Sequence, residues 1–136
     1  MNGFALHLQG AAQYSRFDEV ESFVGEDPSG GFGLLARHER FMTPVLFGLA
    51  RFRPMDRDWV YLATTGGIAY FVDDALYVST RRFIVGDDYD SISSKLATEL
   101  AAEEDKTREL RDSLRHIEEA MLRRLWQLNR SEGAGP

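Results

Sequence analysis

No cysteine occurs in the 136 residues. That excludes disulfides, thiolate catalysis and cysteine-ligated zinc together, and it fits a reducing compartment. Basic charge is also short: 16 lysines and arginines stand against 22 aspartates and glutamates, for a net charge of −6. A protein that tracks phosphates carries a basic excess, so nucleic acid is not an expected partner. No stretch approaches the ~20 apolar residues of a membrane span. The opening Met1-Asn2-Gly3-Phe4 lacks the basic-then-apolar order of a secretion signal. Neither secretion nor direct membrane insertion is expected.

What is present is ordinary for a folded chain, with 43% hydrophobic and 28% charged residues. To about Gly86 the pattern alternates. Phe4, Leu6 and Leu8 share one face with Ala5 and His7 between them, and Val20, Ser22 and Val24 follow less cleanly. Val45, Phe47 and Leu49 alternate before Arg51 and Arg53. Short runs at 59–65, 68–72 and 76–80 are rich in β-branched and aromatic residues. Glu26 to Gly31 (EDPSGG) and Pro54 to Asp58 read as loops, Asp73-Asp74 as a tight hairpin, and Thr64 to Gly67 as a strand end and bend. About eight to ten strands in an antiparallel sandwich or barrel are expected over 1–86.

From Asp88 to Arg130 there is neither glycine nor proline. Ile92, Leu96 and Leu100, then Leu110, Leu114, Ile117, Met121, Leu125 and Leu128, recur at helical spacings, after a cap supplied by Asp88 or Asp90. The polar stretch Glu103 to Glu109 separates the two stripes. It permits two helices folded as a hairpin, hinged there, or one helix of about 60 Å. The arm is expected over 87–130, with residues 131–136 a frayed tail. Glu99 and Glu103 to Asp105 are acidic, whereas Arg111, Arg115, Arg123 and Arg124 make the second part of the arm basic. That arrangement suits either a solvated face or an acidic partner.

Catalytic patterns are missing. His7, His38 and His116 lack metal-ligand spacing, and no histidine follows His38 at the interval of the zinc proteases. Gly30-Gly31-Phe32-Gly33 precedes neither Lys-Ser/Thr nor a helix, so it is a glycine-dependent turn and not a phosphate cradle. Asp73-Asp74, Asp87-Asp88 and Glu103-Glu104 lie in turns or on solvated faces, where nothing separates their pKa values for acid–base work. No metal and no cofactor is expected.

The order Gly30-Gly31-Phe32-Gly33-Leu34-Leu35-Ala36-Arg37-His38, Phe41-Met42-Thr43, Tyr61-Leu62, Gly67-Ile68 and the hairpin from Val72 to Thr80 resembles the epsilon subunit of the F-type ATP synthase. The likeness covers nearly the whole chain. It implies a flattened ten-stranded antiparallel β-sandwich with a two-helix C-terminal arm and no catalysis of its own. It further implies a central-stalk position on gamma and the c ring, transient contact of the arm with α and β subunits, and inhibition of ATP hydrolysis by the extended arm. The setting implied is peripheral, at the cytoplasmic face of the bacterial inner membrane.

The same resemblance places Ser29, Gly30, Gly31, Phe32, His38, Phe41, Met42 and Thr43 against the c ring and gamma, and Arg111, Arg115, Arg123 and Arg124 in the inhibitory arm. Departures are visible too. Gly31 stands where many members carry an acidic residue, and Ala36-Arg37 replaces a common Pro-Gly. Only Asp90 is left of the ATP-binding motif some bacterial members carry, so no nucleotide site is expected. The phrase SFVGEDPSGGFGLLARH is similar to the alternate branch of epsilon subunits, some of them found with sodium-translocating ATPases. The rival reading is a free-standing β-sandwich adaptor that dimerises or binds partners through a coiled-coil arm.

Overall fold

The computed structural model describes residues 3–133, with side chains to Arg130. Seven strands come first: β1 (Phe4–Gln9), β2 (Tyr14–Asp27), β3 (Gly30–Leu35), β4 (Phe41–Pro54), β5 (Val60–Val72), β6 (Ala75–Thr80) and β7 (Phe83–Gly86). Helix α1 (Tyr89–Lys95), a π-helical stretch (Leu96–Leu100) and helix α2 (Ala101–Gly133) follow. Hydrogen-bonded neighbours run β1–β6–β5–β4–β2–β3, and β1 also pairs with β2, so five strands close a ring. Strands β1 and β6 are parallel, and the other pairings are antiparallel. Strands β3 and β7 hang from this ring, each paired with one strand only.

The expected count of about ten strands is corrected to seven. Strands β2, β4 and β5 have 14, 14 and 13 residues, twice a common strand length. Each serves two sets of neighbours. The first half of β5 (61–64) pairs with β7 and the second (67–72) with β6, while β4 runs alongside both halves in one register. Counting the three long strands twice recovers the expected ten. Gly66, with φ 87°, takes the bend without ending the strand. On β4 the inward positions change parity, from Thr43 and Val45 to Ala50 and Phe52. Phe47, expected to share a face with Val45, is therefore exposed.

Alternation puts Phe4, Leu6 and Leu8 inside, where they meet Val20, Phe23, Leu34, Phe52, Leu62, Phe71, Leu76 and Val78 in one core. A second, smaller cluster forms where Ile92 and Leu100 cover Ala63 of β5, with Leu49, Tyr61, Ile84 and Leu96 around them. Burying a side chain such as Ile92 stabilises the docked helix by about 1.5–3 kcal/mol. Gly86 makes the approach possible, because a Cβ there would stand 2.7 Å from Ile92 Cδ1.

The two-helix arm is corrected to one continuous helical run. Glu103 to Glu109 lies inside α2, since Glu, Lys and Arg are good helix formers and nothing there breaks the backbone ladder. The irregularity falls earlier, at Leu96–Leu100, where the Ala101 N–H bonds back to the Leu96 carbonyl across a π turn. Helix α2 continues past the expected stop at Ser131 to Gly133, and the last three residues of the expected tail lie outside the described residues. The chain divides into two compact units, one ending at Ala101 and the other beginning at Ala102. On α2 the stripe from Leu110 to Leu128 is exposed, so the burial expected from two helices folded together is not found.

Candidate functional site

The β2–β3 hairpin turns through Pro28 and Ser29, between the paired Asp27 and Gly30. Asp27 shapes that turn. Its Oδ1 accepts the Ser29 amide at 2.9 Å and the Ser29 hydroxyl at 2.6 Å, an Asx-type local turn. Its Oδ2 accepts the Thr43 hydroxyl at 2.7 Å. The Ser29 hydroxyl, then Thr43, hold the carboxyl below its ordinary value, against the opposing effect of burial. Ser29, Gly30 and Gly31 are left exposed at the tip, whereas Thr43 is buried and acts on the surface through Asp27.

Phe32, His38 and Phe41 come together. The Phe32 ring lies 5.6 Å from Phe41, and His38 stands edge-on to Phe41 at 5.5 Å and to Phe71 at 5.7 Å. Phe71 in turn meets Phe4 in the core at 5.4 Å. Such edge-to-face contacts hold ring orientations as well as burying area. His38 Nδ1 donates to the Glu39 carbonyl at 2.7 Å, so that nitrogen carries the hydrogen. Its loop is pinned from the β5–β6 turn, where the Asp74 carboxylate accepts the Arg37 amide. Asp73 and Asp74 have φ of 50° and 54°, the geometry of a type I′ hairpin.

Met42 belongs to a different face. It is 63% exposed and sits opposite Tyr70 on the outside of the sheet. Tyr70 faces Tyr77, and Tyr77 stacks on His7 at 4.6 Å. His7 also reaches the Tyr14 hydroxyl at 2.6 Å. Pro44 and Ile68 form the next rung, both exposed. An outward row of Met42, Tyr70, Tyr77, His7 and Tyr14 thus crosses five strands, β4, β5, β6, β1 and β2. Period two placed His7 outward, but only strand order assembles the row. Nothing in the sequence reading singled out Tyr14, Tyr70 or Tyr77.

Arg111, Arg115, Arg123 and Arg124 are all exposed on α2. At 3.6 residues per turn Arg111 and Arg115 are neighbours, while Arg123 and Arg124 point about 100° apart. The four do not make a single stripe. A groove of about 580 Å³ between Val24, Glu26, Arg51, Tyr61, Tyr89 and Leu96 lies beside α1. Its one cation, Arg51, rests on the Trp59 ring at 4.5 Å. Among the described residues no cluster of three metal-binding side chains occurs, and no helix is long and apolar enough to cross a membrane.

Residues 11–86 match the family described as ATP synthase, Delta/Epsilon chain, beta-sandwich domain. The ATP synthase epsilon chain 2 of Cereibacter sphaeroides is 30% identical over 117 residues, which are 85% of this chain and 80% of that one. The chain belongs to the ATP synthase epsilon family. The epsilon chain of Rippkaea orientalis is 36% identical over 70 residues, about half of each protein. Among solved structures, a chain of the Euglena gracilis mitochondrial ATP synthase superposes with a TM-score of 0.56 at 18% identity, over 63% of this chain and 56% of that one. That likeness shows the fold. As an epsilon subunit the chain is non-catalytic, in agreement with the missing catalytic patterns.

Proposed function

We propose that this epsilon subunit is a rotor grip of the central stalk, holding gamma and the c ring through its β domain. The β2–β3 tip, Ser29 to Gly31, faces the c ring. His38, Phe41 and the outward row beginning at Met42 face gamma. The observation that carries this reading is the family match across residues 11–86, which spans the tip, His38, Phe41 and all of the outward row but His7. Support comes also from a second structural neighbour, part of the Tetrahymena thermophila mitochondrial ATP synthase central stalk and c ring, with a TM-score of 0.51 at 10% identity. The complex lies at the cytoplasmic face of a bacterial inner membrane, with this subunit peripheral. The relative named epsilon chain 2 favours the alternate branch. Rings held in place by packing suit recognition, because little side-chain freedom is lost when a partner docks.

The test is recovery of a tagged full chain from its native cell. Gamma, α and β chains should come with it, and a variant carrying M42E and Y70E should lose gamma while keeping its own fold. Purification without gamma would sink the proposal. The arm is the inhibitory element: replacing Arg111, Arg115, Arg123 and Arg124 with alanine should raise ATP hydrolysis by the assembled complex several-fold. Unchanged hydrolysis would leave only the stalk role.

A further inference from the structure

Helix α2 carries a seam. Leu110, Leu114, Ile117 and Met121 follow at intervals of four, three and four, and Leu128 repeats Met121 seven residues on. These are the a and d positions of a heptad. Each of the five is between 52% and 62% exposed. Extending the same register places Glu103 and Thr107 on the seam before Leu110, and Arg124 between Met121 and Leu128.

Charge decides what this seam accepts. Glu103, Glu104 and Asp105 open the helix, and Arg123, Arg124 and Arg130 close it. A parallel copy would set Arg124 against Arg124 inside the seam and acid against acid at the other end, both repulsive. An antiparallel copy with Leu114 opposite Ile117 puts Leu110 opposite Met121 and brings Arg124 opposite Thr107. Glu103 and Glu104 of the second copy then lie within a turn of Arg124, and Arg111 lies beside Glu118. Acid meets base at both ends.

We propose that, in the free chain, α2 pairs antiparallel with α2 of a second copy. This goes beyond the rotor-grip reading and does not depend on it. Four apolar layers make a short seam of about 17 Å at 1.5 Å rise per residue, so the dimer is weak and concentration-dependent.

The experiment is sedimentation of the full chain from low to high micromolar concentration, joined to cross-linking. The average mass should climb toward twice the chain mass, and less steeply in high salt, which screens the end charges. M121E should stay monomeric throughout. Because the chain has no cysteine, L114C and I117C report only introduced pairs. An oxidised mixture of the two variants should cross-link several-fold more than either alone. A chain monomeric at every concentration overturns the proposal and leaves the seam to a different protein. More cross-linking in a single variant than in the mixture means a parallel dimer, and also overturns it.

Discussion

Asp27 accepts hydrogen bonds from the Ser29 amide and hydroxyl and from the Thr43 hydroxyl, and so joins the hairpin tip to the start of β4. With its carboxyl held below the ordinary 3.8, the folded state binds the proton less readily than the unfolded chain. The stabilisation is fully present above the ordinary value and is lost as pH falls through the lowered one. D27N should lower the urea midpoint at neutral pH, since an amide cannot accept at both ends. The gap between variant and wild type should then close below about pH 4. A gap independent of pH would show that the carboxylate charge is not what Ser29 and Thr43 hold. Composition marked this stretch as a turn in which Asp and Ser bond back to the chain. Its reach to Thr43, 16 residues away, is a tertiary fact that the sequence does not display. Asp74 is similar: its turn is legible, its hold on the His38 loop is not.

At the scale of elements, local chemistry was readable and continuity was not. Asp73-Asp74 forms the hairpin its residues announce, because the left-handed geometry is set by two adjacent residues. Gly66-Gly67 resembles a strand end by the same local logic, yet β5 keeps its ladder to β4 and β6 on either side. A Cβ at Gly67 would stand 1.9 Å from the Ser79 carbonyl oxygen, which is backbone of β6. G67A should therefore destabilise the β domain by about 3 kcal/mol or more in urea unfolding, well beyond the usual effect of a point change. A near-neutral G67A would mean that β6 does not run so close to β5 there. The arm errs in the opposite direction. A polar gap reads as a hinge when only apolar burial is counted, but helix propensity carries the backbone through Glu103 to Glu109. The sheet contacts of Leu96 and Leu100 coincide instead with a π turn that no spacing rule foretells.

The whole molecule sorts its apolar residues by length of chain. Every residue of both buried clusters lies at or before Leu100, and the first compact unit ends at Ala101. The first three apolar positions of the arm, Ile92, Leu96 and Leu100, thus belong energetically to the β domain, while Leu110 to Leu128 contribute nothing to either core. A chain ending at Ala101 should fold as the full chain does. Its melting temperature should stay within about 2 °C, because both buried clusters are kept whole and a shift of that size corresponds to a few tenths of a kcal/mol in a domain this large. Gamma should still be recovered with it, restraint of hydrolysis should disappear, and sedimentation should give a monomer at every concentration. Cutting instead after Gly86 removes Ile92 and Leu100 and uncovers Ala63, so that shorter chain should melt at a clearly lower temperature. Equal melting for the two truncations would show that the helical turns at 89–100 add nothing to the fold, and the division of the molecule would then belong at the end of β7.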